Sequence, residues 1–172
     1  IESPLQPVIS LPLGAEGISP LEMAGAYATF ASNGWQSDLT LILQVTDSQG
    51  NILLDNRPEP RLVLDPWATA SLTSVLQGVI DSGTGRAAKL GDRPAAGKTG
   101  TTSSERDVWF VGYVPQLAAA VWIGNDNYAP MGSGVTGGGH AAPVWKAFME
   151  ETLKDTEPRY FPAASQYEPP QP

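Results

Sequence analysis

The chain has no cysteine, so disulfides, thiolate metal sites and cysteine nucleophiles are all excluded. It has a single histidine, His140, too few for a histidine-built metal centre. Charged residues make up 16%, below the usual ~25% of soluble domains. Positive charge is the scarcer sign: 10 Lys and Arg stand against 18 Asp and Glu, a net charge of −8. That balance argues against a nucleic-acid partner and against electrostatic binding to anionic lipid. No apolar run approaches the ~18 residues of a membrane span, and no basic segment leads into an apolar one at the start. The chain is expected to carry neither a membrane anchor nor a signal peptide of its own.

What is present suits a folded domain. Hydrophobic residues reach 41% of 172, enough for a core, and 18 glycines with 16 prolines promise many turns. Ser19-Pro20-Leu21-Glu22 is a capping box with proline at the first helical position. It predicts a helix to about Ser32, ended by Asn33-Gly34, with Leu21, Ala24, Tyr27, Ala28 and Ala31 inward. Leu39 to Thr46 reads as a strand, and Ile52-Leu53-Leu54 returns from it as a small surface hairpin. A second helix starts at Asp65-Pro66 and runs to about Ile80, with Leu72, Val75, Leu76 and Val79 as its apolar stripe. A short helix is expected near Arg86 to Leu90. Ala96 to Thr101, Val108 to Val114 and Leu117 to Gly124 read as strands, the last two joined by the two-residue turn Pro115-Gln116. A glycine-rich loop, Asn125 to His140, leads to a last helix from Pro143 to about Lys154, with Val144, Phe148 and Met149 inward. Trp109, Phe110, Tyr113, Trp122 and Trp145 are expected to pack in the core. The reading is α+β: an antiparallel sheet covered by helices. Residues 1–155 form the domain, and 156–172, with five prolines, a tail or linker.

The chemistry concentrates on Lys98-Thr99-Gly100-Thr101-Thr102. A lysine on a strand beside a cleft can hold an anion or share a proton with a neighbouring hydroxyl. A glycine there lets a ligand backbone approach. Thr99 and Thr101 offer hydroxyl donors, and Thr102 shapes the strand exit. Strand alternation puts Thr99 and Thr101 on the face opposite Lys98 and Gly100, so one cleft serves both sets only if it wraps the strand edge. Gly132-Ser133-Gly134-Val135-Thr136-Gly137 fits the dinucleotide pattern but lacks a strand just before it, and nucleotide binding is rejected.

The Lys98-Thr99-Gly100 strand, preceded by Gly83-Thr84-Gly85-Arg86 and followed by Asp107-Val108-Trp109-Phe110-Val111-Gly112-Tyr113, resembles the third active-site motif of penicillin-binding proteins and serine β-lactamases. The flanks, with Thr136-Gly137-Gly138 and Ala141-Ala142-Pro143-Val144-Trp145, resemble the transpeptidase domain of class A (bifunctional) penicillin-binding proteins. That resemblance implies a five-stranded antiparallel sheet with the last helix on the face opposite the site. It implies serine acyl transfer between peptidoglycan stem peptides, inhibition by β-lactams, no cofactor and no metal. Lys98 takes the catalytic role; Thr99, Gly100, Thr101 and Thr102 bind substrate, with the Thr101 N–H as half of an oxyanion hole.

The same family carries Ser-x-x-Lys and Ser-x-Asn upstream. No serine among the 172 residues has Lys three positions later or Asn two positions later. The expectation is therefore the C-terminal half of the domain, inactive alone, whose natural partner is the N-terminal half and which self-associates without it. The parent would sit at the outer face of the cytoplasmic membrane, anchored by a segment outside this chain. Two other readings stay open: a non-catalytic module binding cell-wall peptide or protein, and a serine β-lactamase relative.

Overall fold

The computed structural model describes residues 1–14 and 16–170. Helix α1, Pro20–Ala31, starts as the capping box predicts: the Glu22 N–H donates to Ser19 Oγ at 3.2 Å, and the Glu22 carboxylate accepts from the Ser19 N–H. That carboxylate also accepts from the Ser3 hydroxyl at 2.6 Å and from the Ser3 and Glu2 N–H groups, each at 2.7 Å. The Ser3 hydroxyl is the largest of several donors that hold it far below the usual carboxylate range. The helix stops where Asn33 and Gly34 turn to φ 54° and 99°.

Two strand pairs stand apart from the main sheet. Strand β1, Trp35–Gln36, pairs with β4, Arg61–Leu62, a contact too short for sequence periodicity to show. Gly34 accepts the Val63 and Leu64 N–H groups beside it, and a side chain at Gly34 would overlap the Leu64 carbonyl. Strand β2, Gln44–Thr46, pairs with β3, Ile52–Asp55, across the predicted turn. The strand expected over Leu39 to Thr46 is shorter than predicted: the Asn56 N–H still donates to the Leu43 carbonyl at 2.8 Å, but no ladder continues over residues 39–42. There the Thr40 hydroxyl donates to the Ile42 carbonyl at 3.0 Å and accepts from the Asn56 amide at 2.7 Å.

Helix α2, Pro66–Asp81, is capped by Asp65, whose carboxylate accepts the Ala68 N–H at 2.9 Å. Of its predicted stripe, Leu76 is buried and Val79 packs half-buried on the core, but the rest of the inward face differs. Leu72 and Val75 are exposed, and the helix buries Thr69, Ala70, Thr73, Leu76 and Ile80. The threonines can go inside because their hydroxyls are satisfied: Thr69 donates to the Asp65 carbonyl at 2.8 Å, and Thr73 pairs with the Tyr113 hydroxyl at 2.9 Å.

The main sheet holds β5, Ala96–Thr101; β6, Asp107–Val114; and β7, Leu117–Gly124, in that order and antiparallel throughout. It has three strands where the resemblance implies five. Val114 pairs with Leu117, which leaves the predicted two-residue turn. Helix α3, Ala142–Leu153, buries Ala142, Trp145, Met149 and Leu153 against one face of the sheet. Val144 and Phe148, expected inside, are half exposed, and of the predicted trio only Met149 is buried. Trp145 meets Phe110 edge-on at 5.1 Å and donates its indole N–H to the Ala119 carbonyl at 3.1 Å. Burying an aromatic of this size contributes about 3 kcal/mol, and the pair about 1 more.

The opposite face carries Tyr113. Tyr27 of α1 and Phe161 meet its ring edge-on at 6.0 and 5.4 Å. Residues after α3 are thus tied back to the domain, and the Gln116 amide donates to the Glu157 carbonyl at 2.6 Å. Of the five aromatics expected inside, Phe110, Tyr113 and Trp145 are fully buried. Trp109 is half buried, and Trp122 is 39% exposed with its indole N–H on Asp107 Oδ1 at 2.9 Å.

Burial pushes the Tyr113 hydroxyl up to about 12, against the lowering effect of Thr73. The neutral form is the one the fold favours. Its contribution is full below pH ~10 and is lost as pH rises through 12. Tyr113→Phe should therefore cost about 1–2 kcal/mol at pH 8, by leaving the buried Thr73 hydroxyl unpaired. The gap between wild type and variant should close between pH 10 and 12. Urea unfolding across that range checks both; a gap unchanged up to pH 12 contradicts the assignment.

Candidate functional site

Strand β5 carries Lys98-Thr99-Gly100-Thr101 at one edge of the sheet. The register decides what that edge presents. Beyond the strand, the Thr102 N–H donates to the Asp107 carbonyl at 3.0 Å, and Thr101 lies opposite Val108. Antiparallel pairing alternates, so Gly100 and Lys98 also direct their backbone groups toward β6. Gly97, Thr99 and Thr101 then direct theirs outward. The outward Thr99 carbonyl accepts the Lys98 ammonium at 2.9 Å. The ammonium and the Thr101 N–H thus lie along the same free edge, although Lys98 and Thr101 start from opposite faces. A single ligand served by these alternating residues would have to lie along this edge rather than against one face of the sheet.

Side-chain placement follows the pleat. Lys98 and Gly100 sit opposite Val111 and Trp109, on the face of Tyr113. Thr99 and Thr101 sit opposite Phe110 and Val108, on the face that carries α3. Lys98 and Thr101 are exposed, while Thr99 and Gly100 are half buried. A side chain at Gly100 would stand 3.1 Å from Trp109 Cβ, and a ligand backbone can lie over it instead. Thr102 is placed differently. Its hydroxyl accepts the Asp107 N–H at 2.8 Å, which engages it in the turn that closes β5 and β6.

Two segments press on the motif strand; the sequence offered both as part of the family resemblance but gave their residues no role in the site. The first is the turn Gly83-Thr84-Gly85, whose Thr84 hydroxyl lies 2.7 Å from that of Thr99. The second is the single wide π-helical turn Gly137–Ala141. Gly137 donates its N–H to Thr101 Oγ1 at 3.0 Å. A side chain on Gly137 would overlap the Trp109 and Gly100 carbonyls, and one on Gly138 the Thr84 carbonyl. Glycine marks the positions where two backbones touch. His140 lies on this turn but turns back to Thr136, with its Nδ1 3.3 Å from the Thr136 backbone. Among the described residues no three His, Asp or Glu side chains are grouped to hold a metal ion.

The family model for the penicillin binding protein transpeptidase domain matches residues 5–150. The chain is 37% identical over 146 residues to penicillin-binding protein 1A of Aquifex aeolicus, covering 85% of this chain and 20% of that protein. It is 40% identical over 162 residues to penicillin-binding protein 2D of Bacillus subtilis, covering 90% and 23%. The chain thus spans about a fifth of the length of these curated relatives. Among solved structures it resembles PonA1 of Mycobacterium tuberculosis in complex with penicillin V, with a TM-score of 0.78 and 31% identity over 95% of this chain and 47% of that one. It also resembles penicillin-binding protein 1A of Haemophilus influenzae, with a TM-score of 0.79 and 26% identity over 90% and 29%.

The two glycines that touch the motif strand differ in what surrounds them. Gly137→Ala forces two carbonyls apart and should cost about 2 kcal/mol or more. Gly100→Ala meets one side-chain carbon and should cost about 1 kcal/mol or less. Urea midpoints of the two variants check the order; equal losses contradict the packing described.

Proposed function

The chain belongs to the penicillin-binding protein transpeptidase family, and from that premise we propose that it is the sheet-edge part of a peptidoglycan D,D-transpeptidase site. The observation that carries the reading is the Lys98 ammonium and the outward Thr101 N–H side by side on the free edge of β5. An extended peptide can add to such an edge, with main-chain bonds for affinity and Gly100 leaving it room.

In this reaction a serine oxygen attacks the penultimate D-alanine carbonyl of a stem peptide. The tetrahedral oxyanion collapses, the C–N bond breaks, and D-alanine leaves with a proton on its nitrogen. An amine of a second stem then displaces the serine, which recovers its hydrogen. The Thr101 N–H supplies one donor to the oxyanion. Lys98 sets a fixed positive charge beside the reacting centre, where it supports proton sharing with a neighbouring hydroxyl and holds the substrate anion. Thr99 and Thr101 offer hydroxyl donors to the terminal carboxylate. Thr102 serves the same site indirectly, through the turn it closes. The nucleophile is not among these 172 residues, since no serine has Lys three positions on. It comes from another segment of the domain, and β-lactams acylate that same serine. The site lies at the outer face of the cytoplasmic membrane; no described helix is long and apolar enough to cross a membrane.

A fluorescent penicillin separates the roles. The 172-residue chain alone should take no label that survives denaturation. In a protein holding the whole domain, Lys98→Ala should slow acylation by about 10²-fold or more. Labelling within threefold of wild type puts Lys98 outside the site.

Exposed apolar side chains on the helices, including Leu21, Leu72 and Val75, favour docking of the remaining domain. Without it the chain should self-associate. Sedimentation equilibrium checks this; a monomer from micromolar to millimolar concentration refutes it.

A further inference from the structure

The hydroxyls of Thr99 and Thr101 each carry one hydrogen, and what they can give a ligand depends on which neighbours already donate to them. Thr101 Oγ1 accepts the Gly137 N–H at 3.0 Å. A backbone amide only donates, so the Thr101 hydrogen is left for another acceptor. Thr99 has no amide in that place. Its Oγ1 lies 2.7 Å from Thr84 Oγ1, and either oxygen could be the donor. With nothing bound, both directions are open. When an anion lies against Thr99, only one direction works: Thr84 donates to Thr99, and Thr99 donates onward.

We propose that Thr84 is a positioning residue of the site, a hydroxyl that turns the Thr99 hydrogen toward the carboxylate of the acyl donor, as the Gly137 N–H does for Thr101. The proposal rests on the functional reading above. Thr84 does not touch the substrate; it fixes the polarity of the bond behind the group that does. Charge at the far end strengthens such a chain, because each hydroxyl polarises the next.

The surroundings hold Thr84 in register. The Gly83 N–H donates to the Gly78 carbonyl at 3.0 Å and the Gly85 N–H to the Val79 carbonyl at 2.9 Å, which fixes both sides of the turn to α2. Gly138 packs against the Thr84 carbonyl, and a side chain there would stand 3.7 Å from the Thr99 methyl. The turn, the motif strand and the glycine pair therefore meet around one pair of hydroxyls.

The test uses a protein containing the whole domain and two probes: a penicillin with its free carboxylate, and the same penicillin as its methyl ester. Second-order acylation rates are measured for wild type, Thr84→Val, Thr84→Ser and Lys98→Ala, with thermal midpoints as the control for folding. Valine keeps the shape of threonine and loses the hydroxyl; serine keeps the hydroxyl. Thr84→Val should slow acylation by the acid about tenfold, as for one lost bond in a chain to a charged acceptor. The ester rate should fall far less, so the acid-to-ester preference shrinks. Thr84→Ser should stay within about twofold of wild type, with midpoints alike. An unchanged preference in Thr84→Val, or serine as damaging as valine, overturns the role of Thr84. Lys98→Ala labelled as fast as wild type instead overturns the functional reading, and this proposal with it.

Discussion

Strand β6 is buried on both faces, and the placement of the site depends on that. Phe110 on one face lies under Trp145, and Tyr113 on the other lies under Tyr27 and Phe161. Both β6 residues are fully buried, and the strand cannot shift by one residue without moving each into the wrong layer. Strand β5 takes its register from β6. The direction of the Thr101 N–H, and hence the chemistry the edge can offer, is therefore set by aromatic packing about ten residues away in sequence.

An edge strand is usually a liability, since its unpaired groups invite other strands. Here those groups are the ones the proposed substrate needs. The fold limits the exposure rather than abolishing it. Helix α2 packs along β5 at its start, where Ala95 and Ala96 are buried, and the Gly137–Ala141 turn closes on Gly100 and Thr101 from the α3 face. Between these covers lies the stretch with Lys98 and the outward groups of Thr99 and Thr101. Glycines at 100, 137 and 138 keep side chains out of the places where backbones must touch.

The three strands of the main sheet and the motif were legible in the sequence because they are short, alternating and punctuated by turns. Pro115-Gln116 is the turn found, and Ala96 to Thr101 is the strand found. The inward faces of the helices were not legible. Periodicity counts apolar residues, so Leu72 and Val75 looked buried and Thr69 and Thr73 did not. In the fold the threonines go inside because the Asp65 carbonyl and the Tyr113 hydroxyl satisfy them. On α3, Trp145 and Met149 are buried as expected, but Val144 and Phe148 are not, and Leu153 carries contact that the count did not show. At the site, pleating alone set Lys98 against its threonine neighbours. It could not show that the lysine folds back to the Thr99 carbonyl, because that depends on which backbone groups face outward. Thr84 stayed hidden for a related reason, since fifteen residues separate it from the hydroxyl it meets.

A net charge of −8 bears on how this edge recognises an anion. At long range such a chain repels one, although physiological salt confines the repulsion to about 8 Å. Attraction must then arise within a few ångströms, from Lys98 and from donors already aimed. Hydroxyl hydrogens rotate freely, and a donor that must first reorient gives up part of the bond it makes. A fixed amide behind Thr101 removes that cost before the ligand arrives, and in the proposed chain the hydroxyl behind Thr99 lowers it once the anion sets the direction of the bond. In an acidic chain with a single lysine on the motif strand, aiming the neutral donors is the route left for holding a carboxylate, because adding positive charge is not the one this sequence takes.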